Sequence, residues 1–193
     1  MTEEAEAEVI DLSRELVKDD NPILREDMPK FDFAEPPIDP IMLAHILAQS
    51  VIKHNGIGLA ANQIGLRHRA FIMKSTPMIC MINPVIVGES DEETIGEEGC
   101  LTFPNLIIKV KRSNILRVRF TEPNGNIRTE KYEGMTSRII QHELDHLDGI
   151  LFHDRATRYH LEQALKKQKK LLTSADQILP VIWELQKKHL LEL

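Results

Sequence analysis

Residues 141–149 read Gln-His-Glu-Leu-Asp-His-Leu-Asp-Gly, and the spacing of their two histidines decides how the rest of the chain is read. His142 and His146 stand four apart, so on a helix both imidazoles leave one face, one turn above the other. Met135 and Ile139 precede them at helical spacing, so Met135, Ile139, His142 and His146 make one stripe over a helix expected from about Met135 to Leu147. A stripe that mixes apolar side chains with imidazoles suits a site buried between helix and sheet. Two neutral imidazoles at this spacing suit a divalent transition metal, and Glu143 stands where a carboxylate can take a proton from water activated there. The motif is short enough to arise by chance on a polar helix, so a third ligand has to be found.

Spacing tests three sources for it. A third His in the pattern His-Glu-x-x-His-x-x-Gly-x-x-His finds Gly149 in place, but the last position is Phe152 and His153 comes one residue late. A Glu on a following helix finds Glu162, although acidic residues in helices are mostly solvated. A thiolate finds Cys80 or Cys100, a soft donor suited to zinc or ferrous iron. Cys80 lies in the apolar run Pro77-Met78-Ile79-Cys80-Met81-Ile82, where a small buried hydrophobe is expected. Cys100 lies in Glu97-Glu98-Gly99-Cys100-Leu101-Thr102-Phe103-Pro104, where Gly and Pro let the backbone bend to present a side chain. With two cysteines and no secretion signal, a disulfide is not expected.

Asn55-Gly56-Ile57-Gly58-Leu59-Ala60-Ala61-Asn62-Gln63 follows a helical stretch. Glycines one residue apart permit close backbone approach, and Gln63 can hydrogen-bond a small polar group. As a nucleotide fingerprint the segment fails, because Ala61 stands where the third Gly belongs and no Lys-Ser/Thr pair follows. A plain tight turn fits equally well.

Taken in order, these segments resemble peptide deformylase. That family carries Gly-hydrophobic-Gly-hydrophobic-Ala-Ala-x-Gln, met by Gly56 to Gln63. It carries Glu-Gly-Cys-hydrophobic-Ser, met by Glu98 to Thr102 with Thr for Ser, and Gln-His-Glu-hydrophobic-Asp-His, met by Gln141 to His146. The resemblance begins near Asn21-Pro22-Ile23-Leu24-Arg25, runs through Leu151-Phe152, and leaves the flanks outside. It implies a hydrolase that removes the formyl group from the N-terminal formyl-methionine of new polypeptides, releasing formate. It implies Cys100, His142 and His146 as metal ligands and Glu143 as general base, with Gln63 and the backbone N–H of Leu101 as oxyanion donors. Ferrous iron is the metal implied, with nickel, cobalt or zinc able to substitute.

Ile57, Gly58, Gly99, Met135, Ile139 and His142 would border the pocket for the methionine side chain, although Ile57 and Met135 read equally well as core. Some bacterial members have Arg seven residues after the ligand Cys. This chain has Ile107, which leaves peptide contacts beyond the first residue unassigned. The implied location is the cytoplasm, and a basic C-terminal helix would offer a ribosome-docking face, although a plain solvated helix face fits it equally well. Asp145 and Asp148 read as structural or exposed. Two other classes compete: a zincin-type metallopeptidase, which needs neither Cys100 nor Gln63, and a non-catalytic metal- or ribosome-binding protein.

Composition fits a compact enzyme. The 193 residues are 42% hydrophobic, enough for one sizeable core, and one domain spanning 1–193 is expected, with a core of about 21–155 and a helical extension over 156–193. Twenty-four basic against thirty acidic residues give a net charge of −6, which argues against nucleic acid as substrate, and no run is long enough for a membrane helix. Helical periodicity is expected over 3–18 from Val9, Leu12, Leu16 and Val17, then a Pro-broken connector, then a helix from Ile41 to Lys53 stopping at Asn55-Gly56. Strands are expected at 70–73, 79–87, 106–110, 115–120 and 127–132, the last two joined through Glu122-Pro123-Asn124-Gly125-Asn126. The fold class is therefore α+β, mostly antiparallel sheets packed around a central metal-binding helix. Residues 156–172 read as a helix carrying Lys166, Lys167, Lys169 and Lys170, and 176–193 is apolar enough to pack on the body or on another copy.

Overall fold

The computed structural model describes residues 10–173. The acidic start and the apolar segment 176–193, with the expectation attached to it, lie outside the described residues. In chain order the described elements are α1 (Pro40–Lys53), β1 (Gly58–Ala60), β2 (Ala70–Met73), β3 (Ile79–Glu89), β4 (Glu93–Cys100), β5 (Phe103–Ser113), β6 (Ile115–Thr121), β7 (Ile127–Glu133), α2 (Gly134–Leu147) and α3 (158–173). The fold is α+β with antiparallel sheets, as expected. It divides into two compact units. One holds the described residues up to Thr94 together with Arg112–Leu151; the other holds Ile95–Lys111 and the described residues from Phe152 onward.

In the first unit a five-stranded antiparallel sheet has the order β1-β2-β3-β6-β7. The β6–β7 hairpin turns where the sequence placed it: Glu122 N–H donates to Asn126 O at 2.8 Å, and Gly125 takes φ +88°. α1 starts because the Asp39 carboxylate accepts from Met42 N–H at 2.8 Å and Pro40 supplies a preset φ in the first turn. It buries Leu43, Ile46, Leu47 and Val51. At its end Asn55, not Gly56, takes the left-handed conformation (φ 54°), while Gly56 N–H reaches back to Val51 O at 2.8 Å.

The helix expected over 3–18 is not formed in its described part, 10–18. The apolar periodicity there was real but its backbone donors are spent elsewhere: Leu12 and Arg14 N–H donate to side chains of α1, and Val17 N–H donates to Gln63 O. A backbone bonded outward cannot also close i→i−4 rings. β1 and β4 were not foreseen either, being short or charged rather than apolar runs.

In the second unit β4 and β5 pair as a two-stranded sheet. β5 alternates, with Leu106, Ile108 and Val110 turned inward to join Cys100, Phe152 and Ala164 in a core. α3 contributes Ala164 and ties back through Gln168 Nε2 to Pro104 O at 3.0 Å.

Candidate metal centre

α2 is polar yet almost wholly buried from Ser137 to Leu147, Ile139 being half-buried, so its position must be fixed by hydrogen bonds as well as packing. Ser137 Oγ and Gln141 Nε2 both donate to Ser113 O, at 2.8 and 2.9 Å, and Arg138 Nη2 donates to Thr94 O at 2.8 Å. One turn further on, Arg112 Nη1 meets Asp145 Oδ2 at 2.5 Å, with the two side chains only 4% and 7% exposed. Asn62 Nδ2 then donates to His146 O at 2.6 Å. Asp145 is thus an anchor of the helix, and Asp148 pairs with Arg69 at 2.7 Å near the surface. Gly149 owes its identity to the turn after α2: its φ is +68°, and an added Cβ would lie 2.6 Å from Arg25 O.

Held this way, α2 presents His142 and His146 with ring centroids 5.0 Å apart. His146 is 1% exposed, and its pKa is pushed well below the ordinary imidazole value, first by burial and then by the charges of His142 and Arg112. A neutral ring is what metal ligation requires. Glu143 is buried against β1: an ideal Cβ on Gly58 would lie 2.9 Å from Glu143 Cδ, so glycine makes the room its carboxylate occupies. Gln63 sits in a 3-10 turn, Ala61–Ile64, and its Oε1 accepts from Ala60 N–H at 2.8 Å, which leaves the Nε2 amino group as its donor end.

In the second unit Cys100 ends β4 and Leu101 and Thr102 form the turn into β5. Cys80, in the first unit, is buried among β2 and β3 residues, and burial pushes its thiol up to about 12, so it stays protonated and inert. Among the described residues Cys100, His142 and His146 are the three that each offer one ligand atom to a metal ion. A thiolate with two imidazoles, one of them held neutral, fits a transition metal. The competing third ligands fall elsewhere: the His153 ring stacks edge-on against Phe103 at 5.3 Å, and Glu162 bonds Arg158 at 2.8 Å on the exposed side of α3.

Of the pocket residues, Ile57 and Met135 are 60% and 63% exposed, which excludes the reading of them as core. Ile139 is half-buried and Gly58 buried. An added Cβ on Gly99 would lie 2.8 Å from Ile107 Cδ1. Sequence reasoning missed Arg112 and Asn62. A signal for Arg112 existed: Leu106, Ile108 and Val110 fix the inward register of β5, and Arg112 is the next residue on that face.

Comparison with known proteins gives a consistent result. The family model described as polypeptide deformylase matches residues 13–162, eight residues further at the start and ten at the end than the resemblance read from motifs. A peptide deformylase from a Wolbachia of Brugia malayi is 37% identical over 142 residues, covering 66% of this chain and 79% of that protein. One from Synechocystis is 36% identical over 133 residues, covering 65% and 71%. Among solved structures, a Synechococcus elongatus peptide deformylase in complex with actinonin superposes with a TM-score of 0.73 at 30% identity, covering 81% of this chain and 86% of that one. A Plasmodium falciparum peptide deformylase in complex with an inhibitor gives 0.73 at 30% identity, covering 82% and 99%.

Proposed function

The chain belongs to the polypeptide deformylase family, and we propose on that premise how its residues remove the N-terminal formyl group from new polypeptides. The observation that carries the reading is the grouping of Cys100, His142 and His146 with the buried Glu143 one residue from His142. A divalent metal, when bound there, supplies Lewis acidity. Glu143 accepts the proton of the attacking water and returns it to the leaving amine. Gln63 Nε2 and the Leu101 N–H donate to the oxygen that gains charge, and removing one such donor typically costs ~3 kcal/mol of barrier. Ile57, Gly58, Gly99, Met135 and Ile139 border the side chain of the formyl-methionine; what supports this is the exposure of the apolar Ile57 and Met135 side chains.

Ferrous iron is the metal we assign, because one soft and two intermediate donors accept it and nickel, cobalt or zinc can replace it. An iron form purified in air is expected to lose activity faster than a nickel form; equal lifetimes would remove the argument for iron. One family model runs across residues of both units, which supports treating 13–162 as one catalytic domain. Lys166, Lys167, Lys169 and Lys170 are exposed on α3 and support docking on an anionic surface such as the ribosome. No described helix is long and apolar enough to cross a membrane, and the cytoplasm, where new polypeptides emerge, is the location proposed.

The test is formate release from a formyl-Met peptide under anaerobic conditions, comparing the unaltered chain with Glu143→Gln. The variant should keep stoichiometric metal and lose on the order of hundred-fold or more in kcat. Near-normal turnover in metal-loaded Glu143→Gln would remove Glu143 from the mechanism.

A further inference from the structure

Residues 10–17 form neither helix nor strand, and side chains of α1 hydrogen-bond their backbone. The Gln49 amide accepts from Leu12 N–H and donates to Ile10 O at 3.1 Å, a two-way contact within three residues. Ser50 Oγ accepts from Arg14 N–H at 2.9 Å while donating to Ile46 O at 2.7 Å. His54 Nε2 donates to Arg14 O at 2.9 Å, and Lys53 Nζ pairs with Glu15 at 2.6 Å. The exposed Lys53–Glu15 pair adds little, but hydrogen bonds to the backbone fix its register.

The segment ends on the site. Val17 N–H donates to Gln63 O at 2.8 Å. The turn that carries Gln63 is a single short 3-10 segment, a geometry with weak bonds of its own. Two of its carbonyls are met from its own end, Asn62 O by Gly65 N–H and Ala61 O by Leu66 N–H, whereas Gln63 O is met by Val17. Gln63 is therefore tied at both ends, by Ala60 N–H at its side-chain oxygen and by Val17 N–H at its carbonyl.

We propose that residues 10–17 are a positioning strap, clipped to α1 by Gln49, Ser50 and His54, which holds the Gln63 amide where the oxyanion develops. The proposal rests on the reading of Gln63 as an oxyanion donor. Released, the strap leaves the backbone of a 2%-exposed residue to find a new donor, and the turn must shift to reach one. A small misplacement of such a group lowers turnover more than it lowers substrate affinity.

Two variants test the strap in the full-length, metal-loaded protein. Gln49→Leu removes both clip bonds at a half-buried helical position and keeps helix propensity; Val17→Pro deletes the N–H itself. Each should lower kcat roughly tenfold, with KM within about twofold, on a short formyl-Met peptide. Amide hydrogen exchange across residues 60–66 should rise. In a Gln63→Leu background Gln49→Leu should cost nothing further, because both act through one group. Unchanged kcat in Gln49→Leu, or an equal loss in both backgrounds, would overturn the strap while leaving Gln63 in place. Unchanged turnover in Gln63→Leu alone would strike the oxyanion reading, and the strap's role with it.

Discussion

Gly58→Ala isolates the placement of the general base from the binding of metal. An ideal Cβ at position 58 would stand 2.9 Å from Glu143 Cδ and 3.2 Å from Cγ, with the nearer carboxylate oxygen closer still. Carbon pairs rest at about 3.5–4.0 Å, so the carboxylate must retreat by about 1 Å. Gly58 is not among the residues with positive φ, so alanine brings no backbone strain, and the pairing of β1 with Met73 is compatible with a methyl group. A 1 Å misplacement costs on the order of hundred-fold in rate, or ~2.7 kcal/mol of barrier. That lies at the low end of what a general base is worth, as expected for one displaced rather than removed. Formate release and metal content should be measured together, the latter by atomic emission. Metal should stay stoichiometric, because the three atoms nearest the added methyl all belong to Glu143. Gly99→Ala is the control: its Cβ meets the end of the half-exposed Ile107 side chain, which can swing aside, so its loss should be several-fold at most. If Gly58→Ala, folded and metal-loaded, turns over within twofold of the unaltered chain, then Glu143 does not need the position described and the account of the base is wrong.

Cys100→Ala should sharply lower metal content while Cys80→Ala leaves it intact, and equal content in the two would refute the ligand assignment. A thiol held up to about 12 is un-ionised at pH 8, so brief iodoacetamide treatment of the folded protein should leave Cys80 unmodified by peptide mass analysis. Arg112→Leu should cost about 3–5 kcal/mol of stability, because it removes the guanidinium paired with the buried Asp145 carboxylate, and an Arg112→Leu/Asp145→Leu double variant should recover most of it. An unfolding midpoint unchanged in the single variant would show that the pair is not buried as described.

What the sequence carried and what it hid follow one physical division. α1, α2 and the strands from β2 onward that bury an apolar face were legible, because burial writes a period of 3.6 or 2 into the residues. β4 was not, since Glu93-Thr94-Ile95-Gly96-Glu97-Glu98-Gly99-Cys100 has almost no apolar alternation; it is a strand because β5 pairs with it. The strap at 10–17 failed in the opposite sense. Leu12, Leu16 and Val17 have helical spacing, but the partners that take backbone N–H groups of this segment lie more than thirty residues away, on α1 and at Gln63, where no local rule reaches. At the site, the motif residues were legible because their chemistry is in the side chain. Asn62 was not, and of Arg112 only the inward register was, because an amide and a guanidinium have many roles, and only contacts over 84 and 33 residues of separation give them these.

Those hidden contacts explain why so polar a helix can be buried at all. α2 offers His142, Glu143, Asp145 and His146 within five positions, and their desolvation opposes burial. The first unit offsets it with specific partners: Arg112 for Asp145, the Asn62 amide for the His146 carbonyl, and Ser113 O for both Ser137 and Gln141. The Arg112 charge has a second effect: after burial and the His142 charge, it is the third influence that disfavours protonation of His146. Stability and function are thus drawn from the same groups. A buried ion pair is weak as a source of stability, since an apolar pair of equal volume serves as well or better. An apolar replacement for Arg112 and Asp145 would withdraw a cation and a carboxylate together and leave burial, the largest cause of the His146 shift, in place. The stable double variant should therefore keep stoichiometric metal, and a loss of metal from that folded variant would show that the pair does more than anchor the helix.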